Sequence, residues 1–196
     1  MENRGLRLGS VMQPFEGVVQ FGRKPACRLE STRIRVLCLP ISAMNTLELK
    51  IPPPVVGLLF GLVMWGISLL TEAIDISLLA RSIVSLALAL VGGAFSLLGA
   101  IGFRRARTTV NPMKPESTSS LVTGGVYRVT RNPMYVGLLF VLIGWAAFLA
   151  SPWSFIGPVA FVLYISRFQI TPEERVLAPM FGENYANYKT RVRRWL

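Results

Sequence analysis

Two stretches in the C-terminal half carry the residue types that could hold a polar ligand. The first is TGGVYRVTRNPMYVG, Thr123 to Gly137. The second opens with Thr171-Pro172-Glu173-Glu174-Arg175, continues through FGENYANY (Phe181 to Tyr188) and closes on Arg191-Val192-Arg193-Arg194-Trp195. In the first stretch the Gly124-Gly125 pair permits a turn that brings backbone close to a ligand, and Arg128 and Arg131 follow it. Pro133 suits the first turn of a helix, where its missing N–H costs nothing, and Asn132 then falls at the N-cap. The exposed N–H groups of such a helix end attract a carboxylate or phosphate. A plain cap flanked by topology-setting arginines accounts for the same residues equally well.

In the second stretch Pro172 is expected to start a helix, with Glu173 and Glu174 favoured in its first turn by the helix dipole. A carboxylate there can accept hydrogen bonds from ligand hydroxyls or an amine, although a solvated helix start is the commoner fate of such a pair. Leu177, Phe181, Tyr185, Tyr188, Val192 and Trp195 then recur at steps of three and four. That spacing predicts an amphipathic tail lying against the bundle or the headgroup layer, broken into two helices by Pro179 and Gly182. Aromatic residues at helical spacing are more often packing than ligand contacts. The chain has no histidine, which removes the commonest general base and transition-metal ligand. Cys27 and Cys38 lie outside any CxxC spacing, so no metal site and no disulfide framework are expected.

The elements that must position these residues are apolar helices. The chain of 196 residues is 52% hydrophobic and 16% charged, with a mean hydropathy of +0.50, well short of the roughly 25% charge of a soluble domain. A bilayer core needs about 20 apolar residues per helix. Blocks at 54–70 and 78–103 meet that need, and the run from Pro133 to Phe168 is twice as long and interrupted by Ser151-Pro152-Trp153. We read spans near 54–70, 78–103, 133–150 and 153–168. The fold expected is all-α, a polytopic membrane protein with about four transmembrane helices and amphipathic C-terminal cytoplasmic helices. The Pro52-Pro53-Pro54 run suits a helix entry, and Trp145 and Trp153 suit the membrane surface.

A formal charge of +11 ordinarily suggests nucleic acid, but its distribution argues otherwise. Eight Lys or Arg precede Pro52, six lie between the second and third spans, and six follow the fourth; only Arg81 falls on the other side, where it can snorkel to the interface. By the positive-inside rule both termini and the motifs are cytoplasmic, in a bacterial inner membrane or its equivalent. Ser85, Ala89, Gly92, Ser96 and Gly99 form a stripe of small residues on one face of the second span, read as a helix-packing seam. Residues 1–43 lack a sustained period and are expected to be a basic, disordered extension, an overlong start if Met44 begins the working protein, with 44–196 as the membrane domain. Nothing at the start resembles a cleaved signal peptide.

GGVYRVTRNPMYVG (Gly124 to Gly137), the Glu173-Glu174 pair and FGENYANYKTRVRRW (Phe181 to Trp195) together resemble the isoprenylcysteine carboxyl methyltransferase and phospholipid methyltransferase superfamily of integral membrane enzymes. The resemblance runs from about Leu58 to the C-terminus and is specific from Gly124 onward. It implies S-adenosylmethionine in a pocket between the last spans and the C-terminal helices. Carried over by position, Gly125, Tyr127, Arg131, Asn132, Pro133, Met134, Tyr135, Gly137, Glu173, Glu174, Tyr185 and Tyr188 would bind the cofactor, and Arg131, Glu174 and Arg191 would serve catalysis. Many members have histidine where this chain has Asn132, so a proton relay there is unavailable. The acceptor implied is lipophilic, an isoprenylcysteine-like carboxylate or a lipid amine, in contact with the bilayer and without nucleic acid. Two other readings are an NADPH-dependent membrane reductase of sterol-reductase type, which would carry more spans, and a non-catalytic membrane scaffold binding anionic lipid through its arginines.

Overall fold

The computed structural model describes residues 18–20, 48–106 and 120–196. The expectations for residues 1–43 and for Met44 fall outside the described residues, apart from a short strand, β1 (Val18–Gln20). It pairs antiparallel with β2 (Ser120–Val122), Val19 opposite Leu121. This ribbon departs from the purely α expectation; three-residue strands are too short to leave a period in the sequence.

The rest is helical. Helix α1 (Pro53–Leu70) begins on two prolines, and the Pro52 carbonyl accepts from the Val55 and Val56 amides. Helix α2 (Leu78–Arg105) starts at Ser77, whose hydroxyl accepts from the Ala80 amide, and ends on Arg104 and Arg105, where cations favour the carbonyl end of the dipole. Helix α3 (Pro133–Leu149) stops at Ala150 in the left-handed region, φ 52°. A 3-10 turn (Pro152–Phe155) leads into α4 (Ile156–Ile165), a π-turn (Ser166–Ile170) and α5 (Thr171–Arg191) without a break.

Pro172 explains the π-turn. It has no N–H for the Phe168 carbonyl and crowds it; the freed carbonyl instead accepts from the Leu49 amide at 3.2 Å, while the Thr171 hydroxyl bonds the Ser166 carbonyl at 2.7 Å. Pro172 thus stands in the first turn of α5 with Glu173 and Glu174, as expected, but that helix continues out of the π-turn and does not start afresh. Gly182, at φ 51° and ψ −126°, does break α5 as expected; Pro179 sits within helical backbone.

Among the described residues three helices are long and apolar enough to cross a membrane: α1, α2 and the 40-residue rod Pro152–Arg191. The expected span at 133–150 is α3, whose 17 residues reach only about 25 Å. The expected span at 153–168 is the first part of the rod. Trp153 is exposed, whereas Trp145 donates its indole N–H to the Gly61 carbonyl of α1 at 3.0 Å and is tied to the bundle.

The small-residue stripe is a seam. A Cβ on Gly92 would stand 2.5 Å from the Gly137 carbonyl of α3; one on Gly99 would press Pro133 and Met134; and Gly144 lies against Ser85. On the other side of α3, Tyr135, Leu142 and Ala146 join Val56, Met64, Phe161, Ile165 and Ile170 in the main core. Two faces of one helix, set by the 3.6-residue period, thus meet different partners.

A segment before α1 is tied to the π-turn. Glu48, 3% exposed, pairs with Arg167 at 3.1 Å and Arg175 at 3.4 Å, and the Gln169 amide donates to the Ile51 carbonyl at 2.7 Å. Both arginines are half exposed, which weakens the pairs. Glu48→Ala is expected to cost about 1.5 kcal/mol and to make 48–51 the first segment cut in limited proteolysis.

Candidate functional site

The predicted motifs meet where the start of α3, the first turns of α5 and the C-terminal segment come together. After Arg191 the chain turns extended at Val192 (φ −123°, ψ 133°) and runs parallel to residues 130–132. Thr130 bridges Arg193, the Arg131 amide donates to the Arg193 carbonyl at 3.0 Å, and the Trp195 indole donates to the Ser166 hydroxyl at 3.1 Å. Asn132 occupies the N-cap position, but its side chain makes no cap. Its Nδ2 donates instead to the Arg194 carbonyl at 2.9 Å, and its own N–H bonds the Thr130 hydroxyl at 3.2 Å. Asn132 is thus a clasp for the tail, a donor role within the hydrogen-bonding repertoire of an amide.

At the centre is Glu174. Its Oε1 accepts from Arg131 Nη1 at 2.8 Å and Arg194 Nε at 3.1 Å, and its Oε2 accepts from Arg194 Nη2 at 2.6 Å. The Arg194 fork is the bidentate geometry in which guanidinium and carboxylate match best. These hydrogen bonds raise the Arg194 guanidinium above its ordinary value, so it stays charged. Arg131 and Glu174 side chains are 13% and 14% exposed, and Arg131 Nε is buried with no partner. Beside them the Tyr135 hydroxyl donates to Glu173 Oε1, and Tyr185 stands next to Arg131 and Glu174. Two guanidinium groups, two carboxyls and two phenols therefore share one partly closed place.

The remaining predicted residues have structural surroundings. Tyr188 donates to the Tyr127 carbonyl at 2.7 Å and joins Leu121, Phe181, Tyr185 and Val192 in a second core, so the aromatic stripe of α5 is mainly packing. The Tyr127 ring is buried against Phe103 edge to face at 5.5 Å, and burial, reinforced by the charges of Tyr188 and Glu173, pushes its hydroxyl well above the ordinary range. Pro133, Met134 and Gly137 face α2, with Gly137 against Ser96 and Gly92. Gly125 opens the 3-10 turn Gly125–Arg128 at φ 62°, a conformation that favours glycine. Arg128 is exposed on that turn.

Arg191 is not brought into the cluster. It is exposed on the last turn of α5, and the arginine of the tail that reaches Glu174 is Arg194. The signal was available: past a helix end, extended backbone alternates sides, so Val192 and Arg194 share the inward side and Arg193 points out. Glu48 was also missed, because a lone acid ahead of a proline run has no pattern. Among the described residues no group of acidic, histidine or cysteine side chains is arranged to hold a metal.

Comparison with known proteins matches residues 80–184 to the phospholipid methyltransferase family. The chain is 43% identical over 63 residues to a Haemophilus influenzae protein named only "Uncharacterized protein", covering 32% of this chain and 100% of that one. It is 34% identical over 114 residues to a "Probable protein-S-isoprenylcysteine O-methyltransferase" of Oryza sativa subsp. indica, 57% of this chain and 58% of the relative. It is 42% identical over 78 residues to the "Protein-S-isoprenylcysteine O-methyltransferase" of Mus musculus, 38% of this chain and 26% of the relative. The chain thus spans little more than half, or a quarter, of the named relatives it matches. No solved structure matches it significantly.

Proposed function

The chain belongs to the phospholipid methyltransferase family, and from that premise we propose that it transfers a methyl group from S-adenosylmethionine to a lipophilic, membrane-associated acceptor. The acceptor is a carboxylate of isoprenylcysteine type or a lipid amine. The observation that carries this reading is the Arg131–Glu174–Arg194 network beside Glu173 and Tyr135, at the end of an apolar bundle. In this reading the site lies on the arginine-rich, cytoplasmic side of a bilayer crossed four times, by α1, α2, the shorter α3 and the first part of the Pro152–Arg191 rod.

The donor set fits the cofactor. S-adenosylmethionine combines an amino-acid zwitterion with a ribose diol, and it supplies a methyl group already activated on a sulfonium. Arg131, whose Nε is buried and unpartnered, and Arg194 suit a carboxylate; Glu173 and Glu174 suit an ammonium or hydroxyls. The protein's own contribution is to position the two partners and exclude water. A carboxylate acceptor arrives ionised and needs no base, which suits a chain without histidine. An amine acceptor must lose a proton, and Glu173, already accepting the Tyr135 hydroxyl, is the candidate to take it.

The test is incubation of the purified protein with methyl-labelled S-adenosylmethionine and separate lipid and lipidated-protein extracts. Label is expected in one of these fractions; tight cofactor binding with no transfer to either would overturn the reading. By titration calorimetry Arg194→Ala should weaken S-adenosylmethionine roughly tenfold or more, the value of a charge-assisted bond. Arg191→Ala should change it less than about twofold.

A further inference from the structure

The bundle carries a second feature at its opposite end, away from the Arg131–Glu174 network by the length of α3. Where the α1–α2 connection meets the turn after α3, a cavity of about 210 Å3 is lined by apolar side chains, among them Ile76, Val84, Ala147, Ala150 and Phe155, and by the carbon stem of Arg81, whose guanidinium adds next to no surface to the lining. Arg81 lies in the first turns of α2, where no acidic residue accompanies it. A cation there adds to the positive end of the helix dipole. Its guanidinium is set over the Phe148 ring at 5.7 Å, and its Nε is buried with no hydrogen-bond partner. Among the described residues no carboxylate pairs with it; Glu72 and Asp75 of the connection are exposed. The nearby hydroxyls of Thr71 and Ser151 bond each other at 2.8 Å.

A half-buried guanidinium with an unsatisfied N–H calls for an anion, and an apolar cavity beside it calls for hydrocarbon. A soluble anion would leave the cavity unfilled, and a neutral lipid would leave the charge unanswered. We propose that this is a binding site for an anionic glycerophospholipid, with part of one acyl chain in the cavity and the phosphate against Arg81. The lipid-facing side chains around the cavity support that source: Val84, Phe155 and Ile156 are 49%, 45% and 53% exposed, on helices that only acyl chains would cover. The site is separate from the methyl-transfer site and does not rest on it.

Native mass spectrometry of the detergent-solubilised full chain tests this, using phosphatidylglycerol against diacylglycerol with the same chains. The parent is expected to retain phosphatidylglycerol preferentially, Arg81→Gln to weaken that retention about tenfold, and Arg81→Lys to keep part of it. Ala147→Phe, which fills the cavity, should also release the lipid, while S-adenosylmethionine binding is unchanged in every variant. Equal retention of phosphatidylglycerol by Arg81→Gln and parent overturns the proposal, as does retention by Ala147→Phe. Equal binding of diacylglycerol to the parent, or displacement of the lipid by millimolar inorganic phosphate, would show a site without the paired recognition and overturns it as well.

Discussion

Replacing Glu174 with glutamine is expected to abolish methyl transfer and to weaken S-adenosylmethionine by roughly a hundredfold. The carboxylate accepts three bonds from two guanidinium groups. Glutamine can accept at only one of its two positions and brings no charge. Arg131, 13% exposed, would then be a nearly buried cation without its counter-charge; truncating one partner of a buried pair costs about 3–5 kcal/mol. Arg194 is 36% exposed and recovers part of its loss in water. The expected sum is a lower melting temperature together with a proposed cofactor site whose arginines are no longer fixed. Titration calorimetry and labelled transfer check it. Parental affinity in both Glu174→Gln and Arg131→Ala would place the cofactor elsewhere.

The second large effect is structural, and two adjacent glycines supply its control. Gly92→Ala puts a methyl 2.5 Å from the Gly137 carbonyl and 3.1 Å from Phe140 and Val141, whereas a Cβ on Gly93 meets nothing within 4 Å. A backbone carbonyl cannot rotate away as a long side chain can, so α2 and α3 must separate along the seam. The expected cost lies at or above the top of the 1–3 kcal/mol range for overpacking, seen as poor accumulation in the membrane and loss of activity, because α3 carries Tyr135 at its start. Gly93→Ala should be neutral or gain up to about 1 kcal/mol through helix propensity. Equal melting temperatures for the two variants would rule out the close seam.

Much of this architecture was legible because it rests on one-dimensional signals. Apolar length marked the helices, proline marked their entries at Pro53 and Pro133, and the spacing of Ser85, Ala89, Gly92, Ser96 and Gly99 marked the face on which α2 meets its neighbour. Motif position marked the region of the candidate site, though not the division of labour inside it. In TRNPMY, Arg131 and Tyr135 turn toward Glu174 and Glu173, while Pro133 and Met134 turn toward Gly99. Residues one or two apart on a helix point to different sides, and only the neighbours decide which side is the site.

Read without its fold, the chain yields the family, the apolar helices and the set of residues from which a site could be drawn. Tertiary structure decided which of them meet. Arg194, and not Arg191, reaches Glu174 because the chain leaves the helix at Val192 and lies beside Thr130. Pro172 opens α5 behind a π-turn, without a break in the rod, because Leu49 satisfies the carbonyl it frees. Glu48 finds Arg167 and Arg175 across more than a hundred residues. Each outcome depends on a hydrogen-bond partner remote in sequence, and local composition and spacing carry no record of which remote group will arrive.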